Sequence, residues 1–515
     1  MKFLANKFIV VLLIVFYFSI NLYFLTDFPF VHSDESWLSG LSRNILEKGS
    51  FGVTEAFFDL KPRNPHAIKI LFHSLQIFFI KLTGYSIFTF RFISLLFGML
   101  CLALVYLTAG KLLDSKALAF SAAFFLASDV QFIYASHFAR QEIIILFFCL
   151  LAFYRFISRP EKNKLKDDII IASIIGAAIG IHPNSFIISL PFLFMYAYDV
   201  FCLKKSSIKS VLIYILTLAV FASFFVGLSL YFDPDFFRNY ASYGSEFEVF
   251  NPITSKVAEI KFFYQKLYYG ISGTYYTPDI RFQLILFPLL IAAALIMIKI
   301  SKDKSLKTTL TYLLLSILGI NTGIILIGRY NQTSVVLLFP FFYLLAAALF
   351  SCMKNRGTNF FALLIGAALL CSTVFNVLPY LNNSYDRYLE EISHYVDKGS
   401  NVLANLNAEY YFNNGRLFDY RNLGYLQDYG ISFEDYIRKN HIEYIIYSEE
   451  MEVIYEQRPK WNGLYGSLSY YEDMKSFMEN KCVLIHEFTD STYGIRIARY
   501  VNKGDWFVKI YKVLQ

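Results

Sequence analysis

The 515-residue chain is 56% hydrophobic and 19% aromatic, and only 17% of it is charged. Soluble domains carry about 25% charged residues, so a mean hydropathy of +0.45 over this length excludes a single soluble core and requires several membrane spans. The net charge of +7 is modest and does not point to a nucleic-acid partner.

Met1 to Lys7 is basic and Phe8 to Leu25 is apolar. The apolar run is too long for an ordinary signal sequence and no small-residue cleavage site follows, so it reads as an uncleaved first span. Further spans are expected at 88–110, 117–134, 141–158, 169–182, 185–203, 210–231, 282–300, 308–328, 332–352 and 358–379, eleven with the first at 8–26. Residues 66–82 are also apolar. However, His66, Lys69, His73 and Gln76 recur every three or four residues on one helical face. That stripe suits an amphipathic helix lying in the interface.

Charge bias orients the spans. With the N-terminus in the cytoplasm, the basic loops all fall inside: Lys2 and Lys7; Lys111 and Lys116; Arg155 to Lys166; Lys204, Lys205 and Lys209; Lys299 to Lys307; Lys354 and Arg356. Counting 66–82 as a span would turn these loops outward. Outside then lie 27–87, the Tyr/Phe-rich 232–281, and a tail beyond 380. The tail is soluble in composition. Val402–Ala404, Tyr444–Tyr447, Cys482–Ile485 and Tyr493–Ile497 read as strands, and Ser432–Lys439 as a helix capped by Ser432. The expected organisation is a transmembrane domain over 1–380 and a small α/β domain outside the membrane over 381–515. The six cysteines lie mostly in apolar runs, so they offer no disulfide framework, and no Cys/His cluster has metal-ligand spacing.

Arg91, Asp129, Asp199 and Lys299 fall near span ends, and mid-span positions are almost free of charge. A transporter more often places ionisable groups or broken helices at mid-membrane. Here polar residues gather at the outer ends instead: Asp34 and Glu35; Lys61, Arg63, His66 and Lys69; His137, Arg140 and Glu142; His182; Arg329 and Tyr330. Ser33 suits an N-cap, which leaves Asp34 and Glu35 in the first helical turn and Gly49 at the helix end. Such acids can serve the helix alone. His182 before Pro183 can likewise end a helix, and His66 and His73 suit interfacial polar positions better than metal ligation.

Taken together, acids and cations on one face fit one reaction type. A carboxylate accepts the proton of an acceptor hydroxyl, and cations neutralise a departing lipid phosphate. This fits glycosyl transfer from a polyprenyl-phosphate sugar. The alternatives are a ligase or polymerase using a lipid-diphosphate donor, and a lipid or glycan transporter.

The chain resembles the GT-C membrane glycosyltransferases, nearest to the lipid-carrier-dependent protein O-mannosyltransferases and lipid A aminoarabinose transferases. The resemblance rests on Ser33-Asp34-Glu35-Ser36, Glu47-Lys48-Gly49, Lys61-Pro62-Arg63-Asn64-Pro65, Phe90-Arg91-Phe92-Ile93-Ser94 with Gly98, Tyr134 to Glu142, and Arg329-Tyr330 with Phe339-Pro340. It covers roughly residues 1–380. Glu142 stands where relatives usually carry Asp, and their Lys-Pro-Pro is Lys61-Pro62-Arg63 here. The resemblance implies that Asp34 is the catalytic base or an acceptor-positioning acid, with Glu35 beside it, and that Glu142 is the second acid. Lys61, Arg63, Arg140 and Arg329 become candidates for the donor phosphate, and His66, His182 and Tyr330 for substrate contact. It implies a polyprenyl-phosphate sugar donor, a lipid, glycan or protein acceptor, and a bacterial or archaeal cell membrane; displacement at the anomeric carbon by one activated hydroxyl predicts inversion. A divalent cation between Asp34 and Glu142 is compatible with the pattern but not required by it. The tail, with Tyr410, Tyr411, Tyr425 and Tyr429, either binds acceptor glycan or caps the outer loops.

Overall fold

The computed structural model describes residues 7–160, 164–246, 248–271, 273–353, 355–381, 385–459, 465, 468–493 and 506–514. The first of the pieces expected to lie outside the membrane follows α1 (Lys7–Tyr23) and holds α2 (Ser33–Lys48) and α3 (Ile70–Thr83). A long helix, α4 (Ile87–Leu113), leads to the pair α5 (Lys116–Ala127) and α6 (Val130–His137), then α7 (Glu142–Ile157) and α8 (Lys164–Ile179). After a turn at Pro183–Ser185 come α9 (Phe186–Phe201) and α10 (Ile208–Phe232). The second outer piece holds α11 (Phe236–Glu246) and α12 (Ile253–Tyr268), and the bundle closes with α13 (Arg281–Ile300), α14 (Lys304–Ile327), α15 (Phe339–Phe350) and α16 (Asn355–Val377).

Each expected span is helical, but not all are long. Among the described residues, seven helices are long and apolar enough to cross a membrane, or eight if α5 and α6 count as one bent span. The count falls below eleven for two reasons. At 17, 16 and 16 residues, α1, α7 and α8 reach only about 24 to 26 Å, short of a hydrocarbon core of about 30 Å. Residues 117–134 do not form one rod, because the chain bends by 64° between α5 and α6. Asp129 makes the break. Its Oδ1 accepts from the Phe132 N–H at 2.9 Å and caps α6, while its Oδ2 accepts from Gln283 of α13 at 2.8 Å and Tyr343 of α15 at 2.6 Å. Three bonds satisfy a fully buried carboxylate that would otherwise be costly there.

Within the bundle, α9 and α14 pack closest where α14 carries glycine. A Cβ built on Gly319 would come within 2.4 Å of the Pro191 nitrogen, and one on Gly323 within 2.7 Å of the Ile187 Cα. Without side chains there, the two backbones approach directly, as small residues permit in membrane bundles. At 14 residues, α3 spans about 21 Å, too short to cross.

The tail begins with α17 (Tyr385–Ser393). It continues through β1 (Val402–Ala404), β2 (Leu417–Asp419), α18 (Phe433–Lys439), β3 (Tyr444–Ser448), α19 (Glu450–Gln457), α20 (Tyr471–Lys481), β4 (Cys482–Thr489) and β5 (Phe507–Val513). The five strands form one sheet in the order β2-β1-β3-β5-β4. Pairing is parallel around β1 and antiparallel on both sides of β5. Ser432 caps α18 through the Asp435 N–H. The strand expected at 493–497 lies outside the described residues from 494 onward. Neither β2 nor β5 is among the expected strands; β2 is only three residues long, and β5 follows a charged stretch that masks its alternation.

The tail is tied to the first outer piece. Asn422 Oδ1 accepts from the backbone N–H groups of Asp59, Leu60 and Lys61 at 3.2 to 3.3 Å. Glu409 pairs with Arg43 of α2, Ser39 donates to the Tyr410 hydroxyl at 2.9 Å, and Asn414 donates to Asn44 at 2.9 Å. Tyr410 is half-buried in this joint, and the half-buried Tyr411 donates to the Val396 carbonyl at 2.7 Å. Tyr429 is exposed.

Candidate functional site

The site is built around the start of α2. His32, not Ser33, is the N-cap: its Nδ1 accepts from the Asp34 N–H at 3.0 Å, while the Glu35 carboxylate accepts from the His32 N–H at 2.9 Å. This reciprocal pair is a capping box with an imidazole in place of a hydroxyl. Asp34 then projects from the helix start, and it keeps more solvent contact than its neighbours, with a side chain 28% exposed.

Asp34 Oδ2 accepts two bonds, from Arg140 Nη1 at 2.8 Å and from the Tyr275 hydroxyl at 2.6 Å. Arg140 also donates to the Tyr275 oxygen at 2.6 Å and pairs through Nη2 with Glu142 at 3.1 Å. Glu142 opens α7, and its Oε1 accepts from Thr333 at 2.6 Å. Its Oε2 is buried and has no hydrogen-bond partner among the described residues. The His32 ring stacks on Tyr275 at 4.4 Å, and its Nε2 lies 2.6 Å from the Thr274 hydroxyl. One guanidinium therefore bridges the two acids. Burial acts to raise the Asp34 pKa, but Arg140, then His32 and the Tyr275 hydroxyl, outweigh it and hold the carboxyl well below the usual range. Burial, with the adjacent carboxylate, pushes the Tyr275 hydroxyl above its usual value.

The divalent cation envisaged between Asp34 and Glu142 does not fit this arrangement, because Arg140 fills that position. No group of three or more His, Cys, Asp or Glu residues that could hold a metal ion occurs among the described residues.

Glu35, expected beside the base, is placed elsewhere. Its side chain is fully buried and accepts from Arg91 Nε at 2.9 Å and Nη2 at 2.8 Å, from the Ala139 N–H at 2.9 Å, and from the His32 N–H. Arg91 in turn donates to the Leu25 and Pro29 carbonyls at 3.0 and 2.8 Å. Glu35 is the structural knot that fixes the turn carrying Arg140, and it has no face left for substrate.

The other cations divide into two sets. Burial, then Arg63, Arg329 and Arg140, lower the Lys69 ammonium to about 8. Burial and the charges of Lys69, Arg140, Arg329 and His66 push the His182 imidazole well down. Burial, then Lys69 and Arg63, bring His66 to about 3. Arg63, Lys69, Arg140 and Arg329 thus share one neighbourhood with two neutral histidines, and the carboxylates of Glu55, Asp34 and Glu142 offset part of its positive charge. Arg63 is itself paired with Glu55 at 2.9 Å and sits over Trp37 at 5.1 Å. Lys61 lies outside this set; its ammonium sits about 6 Å from the Phe58 and Tyr425 rings, at the joint with the tail. Tyr330 also lies apart, because its hydroxyl is given to the Lys256 carbonyl of α12 and its ring packs on Phe263. His182 caps the Pro183 turn, accepting from Asn184 at 3.0 Å.

The model of the family described as dolichyl-phosphate-mannose-protein mannosyltransferase matches residues 66–229. The structure is similar to that of ArnT from Cupriavidus metallidurans bound to undecaprenyl phosphate, with a TM-score of 0.59 and 11% identity, over 98% of this chain and 98% of that one. The chain has the GT-C fold of membrane glycosyltransferases. Within the GT-C fold it is also similar to an oligosaccharyltransferase from Archaeoglobus fulgidus in complex with zinc and sulfate. There the TM-score is 0.52 and the identity 15%, over 87% of this chain and 69% of that one. The archaeal oligosaccharyltransferase AglB in complex with an inhibitory peptide and a dolichol-phosphate gives a TM-score of 0.51 at 14% identity, over 98% and 76%. At these identities the likeness is one of fold. No curated protein sequence matches the chain significantly.

Four participants are absent from the sequence-based site set. His32 and Lys69 lie inside stretches already under suspicion. Tyr275 and Thr333 lie in segments with no pattern beyond composition, and only the folded chain brings them to Asp34 and Glu142.

Proposed function

We propose that this GT-C chain transfers a sugar from a polyprenyl-phosphate donor to an acceptor hydroxyl on the outer face of a cell membrane, with inversion. The observation that carries the reading is Arg140, which holds Asp34 and Glu142 together inside a neighbourhood of three more cations. The undecaprenyl phosphate and dolichol-phosphate bound by the ArnT and AglB structures support a lipid phosphate as the anion that enters it.

In the proposed step the acceptor oxygen attacks the anomeric carbon and the bond from that carbon to the lipid phosphate breaks. The electron pair leaves with the phosphate, and Asp34 takes the hydroxyl proton. A carboxylate tied to Arg140 and Tyr275 is a weak base. An incoming phosphate competes for Arg140, and each contact Asp34 loses raises its basicity. Arg140, Lys69 and Arg329 then carry the charge that develops on the leaving group. Glu142, with an open buried oxygen, keeps Arg140 from leaving the site. The sugar, whether hexose or pentose, is selected beyond the groups named here.

The test is Asp34→Asn. The variant is expected to insert and melt like the parent and to lose transfer from a radiolabelled polyprenyl-phosphate sugar in proteoliposomes. Near-normal turnover removes Asp34 as the base.

A further inference from the structure

We propose that the end of the bundle remote from Asp34 binds an anionic phospholipid, with its phosphate in a lysine-lined cavity between α8 and α10 and its acyl chains along α10. The cavity measures about 770 Å³ and is lined by Lys164 and Lys166 of α8, by Lys204 and Lys205 of the link between α9 and α10, and by Lys209 in the first turn of α10. Charge bias explains lysines in a loop on one side of a membrane. It does not require five of them to converge on one concavity.

None of the five forms an ion pair among the described residues. The nearby acids are engaged elsewhere: Asp167 with Arg155, and Asp168 and Asp199 with Arg159 at 3.1 and 2.6 Å. All three acids are buried, so none of these described acids neutralises the positive charge of the cavity. Lys164 donates to the Lys205 carbonyl and joins the two walls. The cavity also receives the first turn of α10, where Ser207 is the N-cap but makes no side-chain cap, and helix N-termini favour phosphate oxygens. Beside it, the Ser206 hydroxyl is buried with no hydrogen-bond partner among the described residues.

The surroundings select a lipid over a soluble anion. Among the long apolar helices described, α10 is the least covered, with 11% of its most apolar stretch buried. Ile208, Leu212, Leu216 and Val220 recur every four residues and are all more than half exposed. This row begins at the cavity rim and runs up the helix, as acyl chains would lie. Basic pockets between membrane helices are suited to anionic headgroups.

The test uses the full chain in detergent, with native mass spectrometry and thermal melting as readouts. The probes are phosphatidylglycerol, phosphatidylcholine and inorganic phosphate. The cavity variant is Lys204→Gln/Lys205→Gln/Lys209→Gln. Its control is Lys302→Gln/Lys304→Gln/Lys307→Gln, at the α13–α14 link, which lies at the same end. Parent and control are expected to retain phosphatidylglycerol and to melt several degrees higher with it, while the cavity variant binds it at least tenfold more weakly. Melting without lipid checks the fold, and a single Lys209→Glu variant, expected to lose most of the binding, serves if the triple variant is unstable. Three results overturn the proposal: equal retention by the cavity variant, equal loss in the control, or equal binding of phosphatidylcholine. A melting shift from inorganic phosphate as large as that from phosphatidylglycerol also overturns it, in favour of a soluble anion.

Discussion

Replacing Glu35 with Gln separates structural from chemical roles at the start of α2. The change keeps shape and acceptor capacity on one oxygen but removes the counter-charge of Arg91, which is itself fully buried. Removing one partner of a buried pair costs about 3–5 kcal/mol. That is a large share of the roughly 5–15 kcal/mol by which folded proteins exceed their unfolded states. Because Glu35 also holds the Ala139 and His32 N–H groups, the loss spreads to the turn that carries Arg140. Thermal unfolding of the detergent-solubilised chain should therefore show a large drop for Glu35→Gln. The double variant Glu35→Gln/Arg91→Met should recover much of it, since no charge is left unpaired. Transfer activity, measured below the lowered melting point, should fall with the melting point and recover with it in the double variant. If Glu35→Gln instead melts with the parent yet is inactive, Glu35 takes part in the chemistry and the structural assignment is refuted.

Three further outcomes are expected. Tyr275→Phe removes a hydrogen bond to the Asp34 carboxylate, worth about 1.5–3 kcal/mol, and should raise the Asp34 pKa and move the acid limb of the pH–rate profile to higher pH while the melting point stays within a few degrees; an unmoved profile excludes Tyr275 as a partner of the base. Lys69 has its pKa lowered to about 8, and a bound phosphate raises it again, so donor affinity should be flat below that pH and weaken above it. Titrating donor binding from pH 7 to 10 checks this, and Lys69→Arg, which stays charged throughout, should flatten the curve. Gly319→Val puts carbon within 2.4 Å of the Pro191 nitrogen and should cost at least the roughly 1–3 kcal/mol of overpacking, read as a lowered melting point without a change in the activity of the folded fraction.

The helical spans were legible because long apolar runs are strong, local signals. The bend at Asp129 was harder to see, since one acid in an apolar run looks the same whether it ends a span or breaks one, and its partners Gln283 and Tyr343 are far away in sequence. Asp34 and Glu35 show the limit of motif reading. Adjacent residues on a helix do not face the same way, so one side chain of the pair meets Arg140 and the other meets Arg91 in the core. The capping role fell to His32 although Ser33 has the better propensity, because Glu35 closes the box from the third helical position. Tyr330 looked like part of an Arg-Tyr motif, yet Gly328, at φ 74°, turns the chain so that its ring packs on α12. Tyr275 had no signal of its own in a segment rich in tyrosine.

The triple acceptance by Asn422 also has a consequence in time. Residues 59–61 are held by a side chain 361 to 363 positions later. At a synthesis rate of about 5–20 residues per second, the segment that follows α2 waits roughly 20 to 70 s before its template exists. During that interval its three N–H groups can be satisfied only by water or by a chaperone. The last domain made is therefore the one that completes the first loop made, and a chain truncated before Asn422 should insert its helices normally yet leave residues 59–61 open to proteolysis.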